Sequence, residues 1–123
     1  MCEHPEGDLL LLARLIEAEA KAEVFQGKVA VGAVVLNRVK HEEFPENIED
    51  VIFQEGQFQC ISNGSFAKIA EVGEKSILAA KLASEGEDPS SGALFFFNPA
   101  KTRGSWFWQR EITAKIGAHV FAK

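Results

Sequence analysis

The sequence predicts an α+β domain, with helices first and a small β region at the end. Three observations predict it. Residues 9–23 carry apolar and charged side chains at helical spacing. Residues 27–40 are apolar almost all round, the pattern of a buried central helix. After Asp88-Pro89-Ser90-Ser91-Gly92, short aromatic and β-branched runs replace the helical period.

The first helix is expected from Leu9 to about Glu23, with Asp8 as its N-cap and residues 1–8 as a flexible extension. Leu12, Ile16, Glu19 and Glu23 share one stripe of it. Arg14, Glu17 and Lys21 share another, where Glu17 and Lys21 form an i,i+4 pair of opposite charge typical of a solvated face. Phe25-Gln26-Gly27 reads as a break. The central helix follows from about Gly27 to Lys40. Its valines also suit a buried strand, but the length of the run favours helix. Gly32 within it is a candidate point of close approach by a neighbour.

His41 to Pro45 is a turn, and Asn47 caps a short helix, Ile48 to Phe53. Gln54 to Gly64 is a polar loop anchored by Phe58 and Ile61. A further helix is expected from about Lys68 to Ser84, with Gly73 as a possible interruption. Strands are expected at Ala93–Phe97, Ile112–Ile116 and His119–Phe121.

At 123 residues the chain is one domain, residues 9–123, with a core of its own. The composition, 46% hydrophobic and 25% charged, is that of an ordinary globular protein. A formal net charge of -5 argues against nucleic-acid or anionic-membrane binding, which calls for a basic patch. The apolar runs are too short to span a bilayer. Cys2 and Cys60 have no CxxC spacing and are expected as two free thiols, the alternative being a disulfide between them. His4, His41 and His119 are scattered, so no metal site is expected. No glycine-rich phosphate loop is present, and no cofactor is expected.

Glu19 is the candidate for chemistry. It follows Leu12 and Ile16 on a stripe that should otherwise pack. A carboxylate there is costly unless it is neutral, paired or useful. Desolvation raises its pKa, as a general acid near neutrality requires. The alternative is an edge residue that reaches water. Glu23, one turn on, is a second carboxylate, an orienting group or an exposed residue.

Ten Phe, two Trp and no Tyr suggest a core of Phe with some left for a binding face. Phe97 and Trp106 are candidates for that face. Trp106 and Trp108 alternate, so one faces inward and the other is free to stack on a ligand. Gln57 and Phe58 form either a groove wall or an ordinary loop. Asn98 either offers its amide to a ligand or shapes the Asn-Pro turn. His119 is either a structural histidine or a site residue. Arg38, at the end of the central helix, either pairs with a buried carboxylate or caps loop contacts.

The chain resembles the germination-specific cell-wall hydrolases, the SleB/CwlJ spore cortex-lytic family. The resemblance rests on Ala13-Arg14-Leu15-Ile16-Glu17-Ala18-Glu19-Ala20-Lys21-Ala22-Glu23 and on the run Gln26 to Val39, which includes Asn37-Arg38-Val39. It continues in Phe44-Pro45, Val51-Ile52-Phe53, Gln57-Phe58, Ala93 to Pro99 and Gly117-Ala118-His119-Val120-Phe121. The ordered set, not any one piece, carries it.

The resemblance implies a small lysozyme-like fold and lytic transglycosylation of peptidoglycan glycan strands; separately, a monomer is expected. It places the family's catalytic glutamate at Glu19. The family's usual GEARGE has alanine here at Ala18 and Ala22, and its aromatic strand, often Tyr, is all Phe. Hydrolysis using Glu19 with Glu23, and glycan binding without chemistry, are the alternatives. The place of action would be the cell wall or the spore cortex or coat. Met1 to Gly7 lacks the basic-then-apolar order of a signal peptide, so this place implies a processed form, an excised domain or another export route.

Overall fold

The computed structural model describes residues 6–101 and 106–123, with the side chains of Glu6, Trp106 and Phe107 excepted. Helix α1 (Glu6–Ala20) starts before Asp8, so Asp8 lies in its first turn and is not its N-cap. The same three residues, 6–8, are helical rather than part of an extension. The helix ends at Ala20, short of the expected Glu23. Buried Lys28 explains the end: its Nζ donates to Ala20 O at 2.6 Å and Lys21 O at 2.7 Å. A lysine at a helix C-terminus satisfies carbonyls that have no intrahelical donor.

Helix α2 (Phe25–Val39) is the expected central helix, buried along Gly27–Leu36 and again at Arg38. It begins at Phe25, so the break lies earlier than expected, at residues 21–24. Gly32 does mark a close approach. A Cβ there would stand 3.0 Å from Ile16 Cδ1 and 3.2 Å from Ala83 Cβ. The bare backbone lets α1 and the last long helix close on α2 from both sides.

Helix α3 (Ile48–Phe53) is capped as expected, with Asn47 Oδ1 accepting from Asp50 N at 2.8 Å. The polar loop contains a short helix, α4 (Gln59–Ser62), seated by buried Phe58 and Cys60. Helix α5 (Glu74–Ser84) starts at Glu74, with Gly73 as its N-cap, rather than at Lys68.

Glu17 accounts for that start and is not simply a solvated partner of Lys21. Its Oε1 accepts from Gly73 N at 3.1 Å and from Ser76 Oγ at 2.8 Å, capping α5 from a neighbouring helix. Arg14, on the same stripe, donates to Ile69 O at 2.7 Å. Burial opposes the charge on Glu17. The bonds from Ser76 and Gly73, with Lys21 and Lys28, outweigh it and hold the carboxyl below its ordinary value. Its contribution is therefore present at neutral pH and fades as pH falls through the carboxylate range. Glu17→Ala is expected to cost about 1–2 kcal/mol, the usual loss for an N-cap acceptor. Thermal melts at pH 7 check this, and an unchanged melting temperature would refute the capping role.

Strands β1 (Phe95–Phe97), β2 (Ile112–Ile116) and β3 (His119–Ala122) form an antiparallel sheet in the order β1-β3-β2. The central strand, β3, is buried throughout. Phe96 pairs with Phe121, Ile116 with His119, and a register shift falls between Ile112 and Ala114. Gly117, at φ +57°, turns β2 into β3. Arg38 Nε donates to Leu94 O at 2.7 Å and ties the end of α2 to the start of β1. The helices-then-sheet architecture is the one expected. Among the described residues no helix is long and apolar enough to cross a membrane.

Candidate active site

A cavity of about 420 Å³ opens where the end of α1, the loop carrying α4, β1 and β3 converge. Glu19, Gln57, Phe58, Phe97, Asn98 and His119 all line it. The fold thus brings together six of the eight residues selected from sequence. Two are not in that group. Glu23 is absent from the lining. Trp106 begins a 3-10 helix, Trp106–Gln109, and its side chain lies outside the described residues. The expected alternation of Trp106 and Trp108 thus falls in part outside the described residues. Trp108 is 58% exposed and meets Phe97 edge to face at 5.3 Å.

Glu19 is the one carboxylate among the described lining residues. It sits half-buried beyond Leu12, Leu15 and Ile16, which are fully buried. Burial pushes its carboxyl above the ordinary value, and the thiol of Cys60, within hydrogen-bonding reach, offsets part of that rise. Among the described residues Cys60 is a free, buried thiol. Cys2, its possible partner, lies outside the described residues. Burial first, then the charge of Glu19, raise the Cys60 thiol to about 12, so it remains a donor at neutral pH.

Cys60 drew no attention in the sequence because its contact with Glu19 spans 41 positions. Cys60→Ala is expected to raise the Glu19 pKa further by removing a donor to the charged form. Carbon-13 titration of the Glu19 carboxyl reads this directly, and an unmoved titration would refute the contact.

Arg38 also reaches the cavity, without the carboxylate partner expected as one alternative. Its guanidinium lies 5.0 Å from the Phe44 ring centre, 5.1 Å from Phe58 and 5.3 Å from Phe95. Nη1 is buried with no hydrogen-bond partner among the described residues, and burial lowers the group to about 10. Ring faces stand in for an anion. The aromatic wall is therefore fixed around a cation at the end of α2.

Asn98 does shape its turn, with Oδ1 accepting from Ala100 N at 2.9 Å. This leaves its amide NH2 as a donor at the cavity. His119 is buried, and its ring packs at 5.2 Å against Phe96. Burial lowers its pKa, Glu23 opposes the shift, and Lys101 adds to it. The imidazole is therefore neutral at pH 7. Glu23 lies past the end of α1, where its Oε1 accepts from Ala118 N at 3.1 Å. The cavity thus offers one desolvated acid, amide donors and an aromatic wall.

Comparison with known proteins gives these features a context. The family profile described as Cell Wall Hydrolase matches residues 22–122, beginning just beyond Glu19. A spore cortex-lytic enzyme of Halalkalibacterium halodurans is 35% identical over 119 residues, covering 96% of this chain and 35% of that protein. The cell wall hydrolase CwlJ of Bacillus subtilis is 28% identical over 118 residues, covering 93% of this chain and 83% of CwlJ. The solved catalytic domain of the germination-specific lytic transglycosylase SleB from Bacillus anthracis superposes with a TM-score of 0.89 at 34% identity. That match covers 98% of this chain and 97% of the solved one. The chain spans less than half the length of the spore cortex-lytic enzymes it matches. The architecture is that of the SleB catalytic domain, and the chain belongs to the cell wall hydrolase family of enzymes that includes SleB and CwlJ.

Proposed function

We propose that this chain is a peptidoglycan lytic transglycosylase that cleaves the bond between N-acetylmuramic acid and N-acetylglucosamine, with Glu19 as its single acid/base. One observation carries the reading: a lone desolvated carboxyl, its pKa raised, at a cavity lined by amide and aromatic side chains. Protonated Glu19 donates to the glycosidic oxygen as the C1–O bond breaks. The resulting carboxylate then takes the proton from the muramoyl C6 hydroxyl as that oxygen bonds to C1. The product is a 1,6-anhydromuramoyl end, and Glu19 is left protonated again. Water is not consumed. Hydrolysis usually takes two carboxylates. Glu23 is engaged by Ala118 N and is absent from the cavity lining, which weighs against a hydrolytic pair.

The amide NH2 of Asn98 suits a sugar N-acetyl oxygen, and Gln57 and Phe58 suit one wall of a glycan groove. The spore cortex-lytic enzymes among the relatives favour cortex peptidoglycan as the substrate, a wall richer in muramic lactam and poorer in stem-peptide charge. A chain of net charge -5 meets less repulsion there. The site of action we propose is therefore the spore cortex.

The test is digestion of purified spore-cortex peptidoglycan, with the soluble products read by mass spectrometry. Anhydromuropeptides are expected. Reducing ends would establish hydrolysis instead, and an absence of soluble products would overturn the reading.

A further inference from the structure

Glu23 and His119 stand apart from the chemistry of Glu19, yet the fold builds a seat for them. Glu23 Oε1 is the anchor. It accepts from Ala118 N at 3.1 Å and lies 3.8 Å from His119 Nδ1. Two glycines make room for it. A Cβ on Gly117 would stand 2.5 Å from that oxygen, and a Cβ on Gly27 would stand 3.2 Å from Glu23 Cβ. Gly117 also holds φ at +57°, where side-chain-bearing residues are rare. The β2–β3 turn therefore closes directly over the carboxylate.

The imidazole is oriented by its surroundings. His119 is 8% exposed, and its ring lies edge-on to Phe96 at 5.2 Å and to Phe121 at 6.2 Å. Nδ1 is buried with no hydrogen-bond partner among the described residues, and the Glu23 carboxylate is the acceptor beside it. His119 nonetheless lines the same cavity as Glu19. With Nδ1 enclosed on the Glu23 side, Nε2 is the nitrogen left to face the cavity. A neutral imidazole has one donor and one acceptor nitrogen. The carboxylate beside Nδ1 places the proton there, which leaves a lone pair on Nε2. At 3.8 Å the pair is an electrostatic contact rather than a hydrogen bond, and the carboxylate favours a proton on the nitrogen that faces it.

We propose that Glu23 holds His119 as its Nδ1–H tautomer, so that Nε2 accepts a hydrogen bond from a hydroxyl or N-acetyl N–H of the bound glycan. Glu23 is then a positioning residue, and His119 binds substrate. The pair complements Glu19: one wall of the cavity supplies a proton donor and the other an acceptor. The charged groups that share the cavity with His119 are Glu19, Arg38 and Lys101. Lys101 acts on the imidazole as a like charge, and among the described residues Glu23 is the acidic group beside Nδ1, so it sets the tautomer. The proposal rests on the reading of the cavity as a glycan site.

Nitrogen-15 NMR of the whole chain tests it, in the Glu19→Gln background so that no turnover occurs. The probe is a tetrasaccharide of alternating N-acetylglucosamine and N-acetylmuramic acid. The free protein is expected to show His119 protonated at Nδ1 and bare at Nε2. Adding the tetrasaccharide is expected to shift Nε2 together with the Asn98 side-chain amide. Glu23→Gln, whose amide can donate to Nδ1, is expected to move the proton to Nε2 and weaken tetrasaccharide binding about 10-fold, the scale of one lost hydrogen bond. A free protein already protonated at Nε2 would overturn the proposal. So would an Nε2 that stays put while Asn98 shifts, with the glycan reading intact. If neither resonance moves, the glycan reading falls and the proposal falls with it.

Discussion

Glu19→Gln is expected to abolish release of anhydromuropeptides while leaving the fold intact. Amide replaces acid at almost the same volume, so the cavity keeps its shape. What is lost is proton transfer, which contributes roughly 10²–10⁴-fold in enzymes that depend on it. Stability should move the other way. The folded-state pKa of Glu19 is raised, chiefly by burial, so its ionised form is penalised in the folded protein at pH above that pKa. Removing the charge removes the penalty. The variant should therefore melt at or above the wild-type temperature at pH 7, and the two should converge in acid, where Glu19 is neutral in both states. Glu17→Gln is the matched control. Glu17 is absent from the cavity lining and serves α5, so activity near wild type is expected. Equal loss of activity from both variants would refute the assignment of the acid to Glu19.

What could be read in advance was whatever one helical turn or one cap encodes. The stripe through Leu12, Ile16 and Glu19 is set by spacing alone, and it turned a carboxyl toward the packed side. Asn47 and α3 were legible because the cap and its recipient lie three residues apart. The central helix was legible because its composition leaves no polar face. The misread features depend on partners far along the chain. Glu17 looked solvated until Gly73 and Ser76 arrived from positions more than fifty residues away. The end of α1 depends on Lys28, a buried lysine that a hydropathy pattern alone treats as a surface residue. Glu23 continued the stripe only if the helix continued, and Lys28 ends that helix at Ala20. The pairing of Cys60 with Glu19 needs the loop to fold back onto α1, which no local period announces.

Phe121→Ala should be the most damaging single truncation in the sheet. Phe121 is fully buried and is the largest of the side chains so enclosed. It sits in the central strand, paired in register with Phe96 on one side and Ala114 on the other. Its ring packs 6.0 Å from Phe96 and 6.2 Å from His119, two residues at the cavity. Truncating a buried Phe costs about 3–5 kcal/mol, through lost burial and the void left behind. Domains of this size have only about 5–15 kcal/mol in all. The melting temperature should fall by on the order of 10–20 °C. The loss should also reach the site. A void beneath His119 and Phe96 removes packing that sets the imidazole against Glu23, so cleavage at a temperature where the variant is still folded should fall as well. Phe121→Leu refills most of the volume and should recover most of the stability. If Phe121→Ala melted within a few degrees of the wild type, the sheet would not be carrying the cavity wall, and the link between the core under β3 and the site would be refuted.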